Sequence, residues 1–352
     1  MRRKTRRLSQ QLGVALATVG IVAGLAWYLK PKAAATASSD ERRLLPQDAG
    51  PPLAPPTPVT LGSMEQVPGK PTLVSKPVQV ITPATAPSAP TPAQLPLGVD
   101  AFKQAQAKRD AGDILAARGI LNDQLIAGLL TADQQRDAKL FIQEMNQRIV
   151  FSNAKLSADP YNARAKVEPG HSLTVIARQF DISPELLGRI NGISDPRRLR
   201  AGVELKAIKG PFHAVVSKSH FTIDLYLGAP GGQGSTYITT YRVGLGSDAS
   251  TPTGTWLVTK GGKLVNPKFW GTGDIPAMEA DDPKNPLGER WLQLDGIAGE
   301  AVGKEGYGVH GTIEPDSIGK NMSLGCIRLL DEDIKWVYDL LLDGKSKIVI
   351  VP

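Results

Sequence analysis

The sequence is poor in cysteine, histidine and aromatic residues, and each shortage removes a class of function. Cys326 is the one cysteine in 352 residues, so the chain forms no internal disulfide. The four histidines, His171, His213, His220 and His310, lack metal-ligand spacing, so no metal site is expected, nor any other cofactor. His213 and His220 read as surface or packing residues on a first strand pair. Aromatics at 5% leave little material for stacking nucleic-acid bases. The net charge of +7 suggests an anionic partner, but five basic side chains sit in residues 1–11, whereas residues 210–352 carry −4. The positive charge is a tail, so a nucleic-acid partner is not indicated. Opposed carboxylates for glycoside hydrolysis are not evident either. Asp281–Asp282 reads as a solvated turn and Asp331–Asp333 as a helix start.

What is present begins with a targeting pattern. After the basic tail (1–11), "LGVALATVGIVAGLAWYL" (12–29) runs 18 residues without a charge. As a helix it spans about 27 Å, close to the hydrocarbon thickness of a bilayer. The preceding cations stay cytoplasmic, so a single-pass inner-membrane anchor is expected, with everything after residue 30 in the periplasm. Cleavage of a signal peptide near Ala35 or Ala37 is the rival reading and gives the same compartment. A single cysteine in an exported chain is a free thiol. Residues 30–98 form a disordered linker. Fourteen of the 28 prolines lie between Pro46 and Pro96, a composition that favours extended polyproline over a packed core.

Residues 99–156 turn helical, with apolar residues at three- and four-residue spacing. Gly112, Gly119 and Gly128 punctuate the run, and Thr131 is a candidate N-cap. Two or three helices are expected, somewhat like one tetratricopeptide unit, with no chemistry assigned. In residues 163–209 a short strand (165–167) precedes a Pro-Gly turn. Ser172 caps a helix bearing Leu173, Ile176, Ala177 and Phe180. Asp181, Ser183 and Pro184 open a second helix that ends at Asn191-Gly192, and "GVELKAI" closes as a strand. This βααβ plan, with "PGHSL", "ARQF", "LGRINGI" and "RAGVELK", closely resembles the LysM domain. The resemblance implies binding of N-acetylglucosamine-containing glycans, hence peptidoglycan, with Gly170, Ser172, Leu173, Asn191 and Gly192 as glycan-site candidates. Family members usually carry Asp where His171 stands. A degenerate structural spacer is the alternative.

From residue 210 to 352 strands and turns dominate. "HAVVSKSHFTIDLYL" alternates and can pair with "STYITTYRVGLG" across "GAPGGQG". "TPTGTWLVTKGGKLVNPKFW", "RWLQLDG" and "SKIVIVP" add strands, and "DEDIKWVYDLLLDG" is an amphipathic helix closed by Gly344. The chain as a whole reads as multidomain α+β with a β-rich C-terminal domain. His310 sits in "GYGVHGT" and Cys326 in "SLGCIRLL". A thiol beside an imidazole is a nucleophile with its base. Gly311 and Gly325 let backbone N–H groups approach a reacting carbonyl, and Ser323 and Arg328 lie on the same loop. A buried, inert cysteine is the bland alternative.

"HGT", ten residues and then "SLGCIR", which puts fifteen residues between His310 and Cys326, is similar to the active-site signature of the L,D-transpeptidase (YkuD-type) catalytic domain. The similarity extends over about 140 residues, through "TPTGTW" and "NPLGERWLQL". It implies a mixed β-sandwich with a helix, Cys326 as nucleophile and His310 as general base and acid. Gly325, Ser323, Arg328, Gly311 and Thr312 match the remaining oxyanion and substrate positions, with the backbone near Gly325 and Cys326 as the oxyanion hole. Many members carry His where Leu324 stands and Asn where Arg328 stands. The implied reaction is peptidoglycan cross-linking through a cysteine thioester with release of D-Ala. An L,D-carboxypeptidase, a wall-protein ligase and a non-catalytic wall tether are the alternatives.

Overall fold

The structure, a computed structural model, describes residues 98–352 apart from 233 and 274. The basic tail, the candidate anchor and the linker up to residue 97 lie outside the described residues. Among the described residues, no helix is long and apolar enough to cross a membrane.

Three helices come first: α1 (Gly98–Asp110), α2 (Ile114–Ile126) and α3 (Ala132–Ile149). Asp113 caps α2, and Thr131 with Gln134 forms a reciprocal capping box on α3, satisfying N–H groups that a helix start leaves unpaired. Gly112 and Gly128 adopt positive φ at the helix ends, but Gly119 lies inside α2 and interrupts nothing. A βααβ unit follows: β1 (Asn162–Lys166), α4 (Leu173–Arg178), α5 (Pro184–Ile190) and β2 (Glu204–Ile208). The two strands pair antiparallel. Ser172 and Ser183 cap the two helices.

The remaining strands are β3 (Phe212–Ser217), β4 (Thr222–Leu227), β5 (Thr236–Arg242), β6 (Leu245–Gly246), β7 (Gly254–Val265), β8 (Arg290–Ala298), β9 (Gly308–His310), β10 (Asn321–Ser323), β11 (Ile327–Arg328) and β12 (Lys347–Val351). One helix, α6 (Asp331–Leu340), joins them. Eight strands form one mixed sheet in the order β11-β9-β8-β7-β12-β3-β4-β5, and β10 pairs in parallel with β6. The β-rich, sandwich-like expectation thus takes the form of a single sheet with a small parallel pair. The run "HAVVSKSHFTIDLYL" is two strands, broken where Phe221 takes a φ of 52° and His220 Nδ1 meets the Ser217 hydroxyl at 2.9 Å. Gly344 does not close α6, which ends at Leu340; it supplies a positive φ in the turn before β12.

One continuous apolar core runs from Ala101 in α1 through Leu187 in α5 to Ile350 in β12. The helical segment, the βααβ unit and the sheet are therefore packed as one body. A second, small cluster of Phe269, Leu287 and Trp291, joined by Met278 and Cys326, lies apart from it.

Candidate active site

Strand register sets the site. Parallel pairing of β9 and β11 places His310 opposite Arg328, and antiparallel pairing of β8 and β9 places Trp291 opposite His310. Cys326 lies immediately before β11, and the Arg328 charge acts on both its thiol and the His310 ring. Trp291, His310 and Arg328 form a row across three strands, and Cys326, in the loop just before the outer one, packs on the Trp291 cluster.

His310 is 4% exposed, and its ring stacks on Trp291 with centroids 5.7 Å apart. Its Nδ1 lies 2.6 Å from the Gly311 carbonyl oxygen. A carbonyl oxygen only accepts, so Nδ1 carries the proton and Nε2 keeps a free lone pair. Burial pushes the imidazole down to about 4, and the Arg328 charge acts in the same sense. The carbonyls of Gly311 and Leu287 oppose them by favouring the protonated ring. The resting ring is neutral, and those carbonyls stabilise an imidazolium once one forms.

Cys326 is half-buried, with Sγ 3.7 Å from the Gly306 carbonyl oxygen. Burial raises its thiol pKa, and the Gly308 backbone and the Arg328 charge only partly offset this. The resting pair is therefore thiol and imidazole, an arrangement for general-base activation during attack rather than for a standing thiolate.

The loop holding Cys326 is fixed from several sides. Ser323, only 3% exposed, donates its hydroxyl to the Cys326 carbonyl at 2.7 Å and accepts from the Gly325 N–H at 3.1 Å. Thr251 donates to the Gly325 carbonyl at 2.8 Å and accepts from the Gly246 N–H at 2.9 Å. Gly325 has φ 130°, and a Cβ there would stand 2.7 Å from the Tyr307 ring. Only glycine fits. These bonds correct two sequence-derived assignments. The Gly325 N–H is already engaged and is not free to bind an oxyanion, and Ser323 shapes the turn from within. Thr312 is likewise internal, accepting from the Glu314 N–H. Gly311 packs where a Cβ would meet Asp331 Oδ1 at 2.5 Å. Arg328 Nη1 binds Glu314 Oε2 at 2.6 Å, and its buried Nε has no partner among the described residues. Leu324 is 72% exposed, so solvent accepts any side chain at this position.

Four contributors went unread in the sequence: Trp291, Thr251, Tyr307 and Asn285. Thr251, Asn285 and Trp291 lie in segments that the family resemblance covers without giving any residue a role. The link between β7 and β8 carries Trp270, whose ring meets Trp291 edge-on at 4.9 Å, and a bridge joins Phe269 to Met278. Asn285 ties this link together, donating to the Pro267 carbonyl at 2.8 Å and accepting from the Leu287 N–H at 3.0 Å.

The βααβ candidates sit apart from this site and mostly serve their own unit. Leu173 is buried and Ser172 accepts from the Val175 N–H. Asn191 spends its amide on Leu187 and Lys206. Those side chains do not offer free groups to a glycan. Gly170 and Gly192 supply positive φ at turns.

Residues 211–350 match the model of the L,D-transpeptidase catalytic domain (YkuD), and residues 165–207 match that of the LysM domain. Three relatives are named as L,D-transpeptidases. Bacillus subtilis YkuD is 30% identical over 177 residues, covering 48% of this chain and 87% of that protein. Escherichia coli YcfS is 30% identical over 204 residues, covering 52% and 60% respectively. Bacillus subtilis YqjB is 34% identical over 112 residues, covering 31% and 57%. The chain thus spans about three fifths of the length of YcfS and YqjB. Taken with the His310–Cys326 arrangement, these matches place the chain in the L,D-transpeptidase family of YkuD type, with a LysM domain preceding the catalytic one.

Proposed function

We propose that the chain cross-links peptidoglycan by two-step acyl transfer, with Cys326 as nucleophile and His310 as general base and acid. The observation that carries this is the bond from His310 Nδ1 to the Gly311 carbonyl, which leaves Nε2 basic, while Cys326 packs on the cluster of the same Trp291 that stacks on the ring. In the first step Nε2 takes the Sγ proton and Sγ bonds to the carbonyl carbon of the third stem residue. The C–N bond to D-Ala then breaks, and D-Ala departs with that proton on its amine. In the second step an amine of another stem attacks the thioester, and its proton passes through Nε2 to the departing sulfur. The Gly325 N–H is occupied. The Cys326 N–H, which has no acceptor among the described residues, is the backbone donor offered to the oxyanion.

The matched LysM segment holds the enzyme on the wall polymer, which implies an extracytoplasmic location. Residues 12–29 act as a single-pass anchor and 30–98 as a spacer, with the helical segment 99–156 next and the catalytic domain from 210 to the end.

Mass spectrometry of products from a defined tetrapeptide-stem muropeptide tests the reading. D-Ala release with a cross-linked dimer is expected. A bare tripeptide marks a carboxypeptidase, and transfer only to a protein amine marks a ligase. A carbapenem should leave a stable adduct on Cys326 that Cys326→Ala abolishes, and His310→Ala should slow the adduct's formation by about 10²–10⁴-fold. A folded chain whose Cys326 never reacts is a wall-binding tether and not an enzyme.

A further inference from the structure

A groove of about 550 Å³ lies between α3 and the outer strands β4 and β5, at the edge of the sheet opposite β11. No step of the acyl transfer uses it. Its volume falls within the range of sites for small ligands. Its floor is a closed polar network. Lys139 Nζ binds Asp224 Oδ2 at 2.6 Å, Thr240 donates to Asp224 Oδ1 at 2.5 Å, and the Tyr237 hydroxyl meets Thr240 Oγ1 at 2.7 Å. Both oxygens of Asp224 are therefore occupied, and its charge is met by Lys139.

What the groove leaves over is cationic. Arg136 is shared with Asp133 and Asp137 on its own helix. Arg242 lines the groove, is exposed, and has no carboxylate partner among the described residues. The Thr222 hydroxyl and the Gln143 amide add neutral hydrogen-bonding groups along the walls, beside the exposed side chain of Leu140, whereas the Ser217 hydroxyl is taken by His220 and Gln135 donates to the Leu130 carbonyl. One unmatched guanidinium at a wall of amides and hydroxyls suits a short peptide that ends in a carboxylate, because arginine binds carboxylate through two parallel N–H bonds. Such a wall suits a nucleotide poorly, since it exposes no Phe, Tyr or Trp face to stack a base and its one imidazole, His220, is tied to Ser217.

We propose that this groove is a second binding site, separate from Cys326, for a carboxylate-terminated stem peptide of the wall polymer, with Arg242 holding the carboxylate. The ligand class rests on the peptidoglycan reading above; the site itself rests on the groove and its unpaired cation.

The test uses the full chain with Cys326 acylated by a carbapenem, so that the donor side of the catalytic cleft is filled and the Arg242→Gln comparison separates the groove from the acceptor side. The probe is a sugar-free tetrapeptide stem, followed by calorimetry. One equivalent should still bind. Arg242→Gln should weaken that binding at least about tenfold, and amidation of the peptide's C-terminal carboxyl should weaken it by a similar factor. Turnover of a small soluble donor by Arg242→Gln should stay unchanged. The proposal is overturned if the acylated chain binds no peptide or if Arg242→Gln binds it equally well. It is also overturned if acetate competes as strongly as the peptide, which would mark a site for any small carboxylate. Should Cys326 resist acylation, the loss of binding from Cys326→Ala to Cys326→Ala with Arg242→Gln still reads the groove. Failure of the catalytic reading and failure of this one are thereby told apart.

Discussion

Trp291 does for His310 what a hydrogen-bonding side chain does in other acyl-transfer sites: it fixes the plane of the ring. The Gly311 carbonyl fixes the tautomer. Trp291→Leu should therefore lower kcat by about tenfold or more with a smaller change in KM, since orientation acts on the transition state. Steady-state kinetics on a small donor checks this. With His310 as the proposed base, the acid limb of kcat/KM should fall near pH 4 rather than 6.5, because burial holds the ring's pKa at about 4. The same shift makes a stability statement. Between pH 6.5 and 4 the unfolded chain binds the proton and the native one does not, so stability is full above 6.5 and declines as pH falls through that window. The decline amounts to about 3 kcal/mol. Melting curves of His310→Gln should lose this slope. If they match the wild type across the window, the buried neutral ring is wrong. Burial also raises the Cys326 pKa, so iodoacetamide should modify it more slowly at pH 7 than it modifies a free thiol. At this scale Cys326, His310, Ser323 and Gly325 could be picked out of the motif as candidates. The tasks of Ser323 and Gly325 were not legible, because a bond between a hydroxyl and an N–H two residues away leaves no mark in a motif.

Among the elements, the helices α1 to α3 take on a role that their periodicity did not state. β5 is an edge strand, and an open edge invites pairing with another chain. Asn122 on α2 covers part of it as a strand would, donating to the Ser235 carbonyl at 2.9 Å and accepting from the Tyr237 N–H at 2.9 Å. Asn146 on α3 donates to the carbonyls of Tyr237 and Ile238. Asn122→Ala and Asn146→Ala should each cost about 1–3 kcal/mol, since each strands buried backbone groups, and denaturant melts measure it. Substitution at exposed Lys103 should cost nothing detectable. The helices and the Thr131 cap were legible from three- and four-residue spacing. Their docking was not, because Asn122 and Ser235 lie 113 positions apart and amide side chains carry no periodic signal. The link between β7 and β8 was opaque for a related reason: it is irregular, and Asn285 rather than any repeat holds it together.

For the molecule as a whole, the decisive feature is the seam between the LysM unit and the catalytic sheet. Arg189 on α5 pairs with Asp339 on α6 at 2.5 Å, and Ser183 donates to the Asp339 carbonyl. Burial pushes Asp339 up to about 6 even though the Arg189 charge opposes it. Removing the arginine leaves a buried carboxylate unpaired, so Arg189→Ala should cost about 2–3 kcal/mol at pH 7.5, a reduced figure because Arg189 is partly exposed. A raised acid pKa destabilises the fold above it and ceases to do so as the group takes up a proton. The loss should accordingly shrink below pH 6, and Asp339→Asn should rescue part of it at pH 7.5; a loss independent of pH sinks this account. On the far side of the LysM unit, Lys206 is fully buried, and its ammonium donates to the carbonyls of Ile149 at 2.6 Å and Ser152 at 2.7 Å, at the end of α3. The βααβ pattern could be read from caps and turns, but not these joints, since Lys206 looks like any strand lysine. Locked on both sides, the LysM unit has no hinge to the sheet. A wall strand gripped there and at Cys326 costs translational and rotational entropy once, with no slack tether diluting the second contact, so that effective molarity at the thiol is set by rigid geometry and not by chain length.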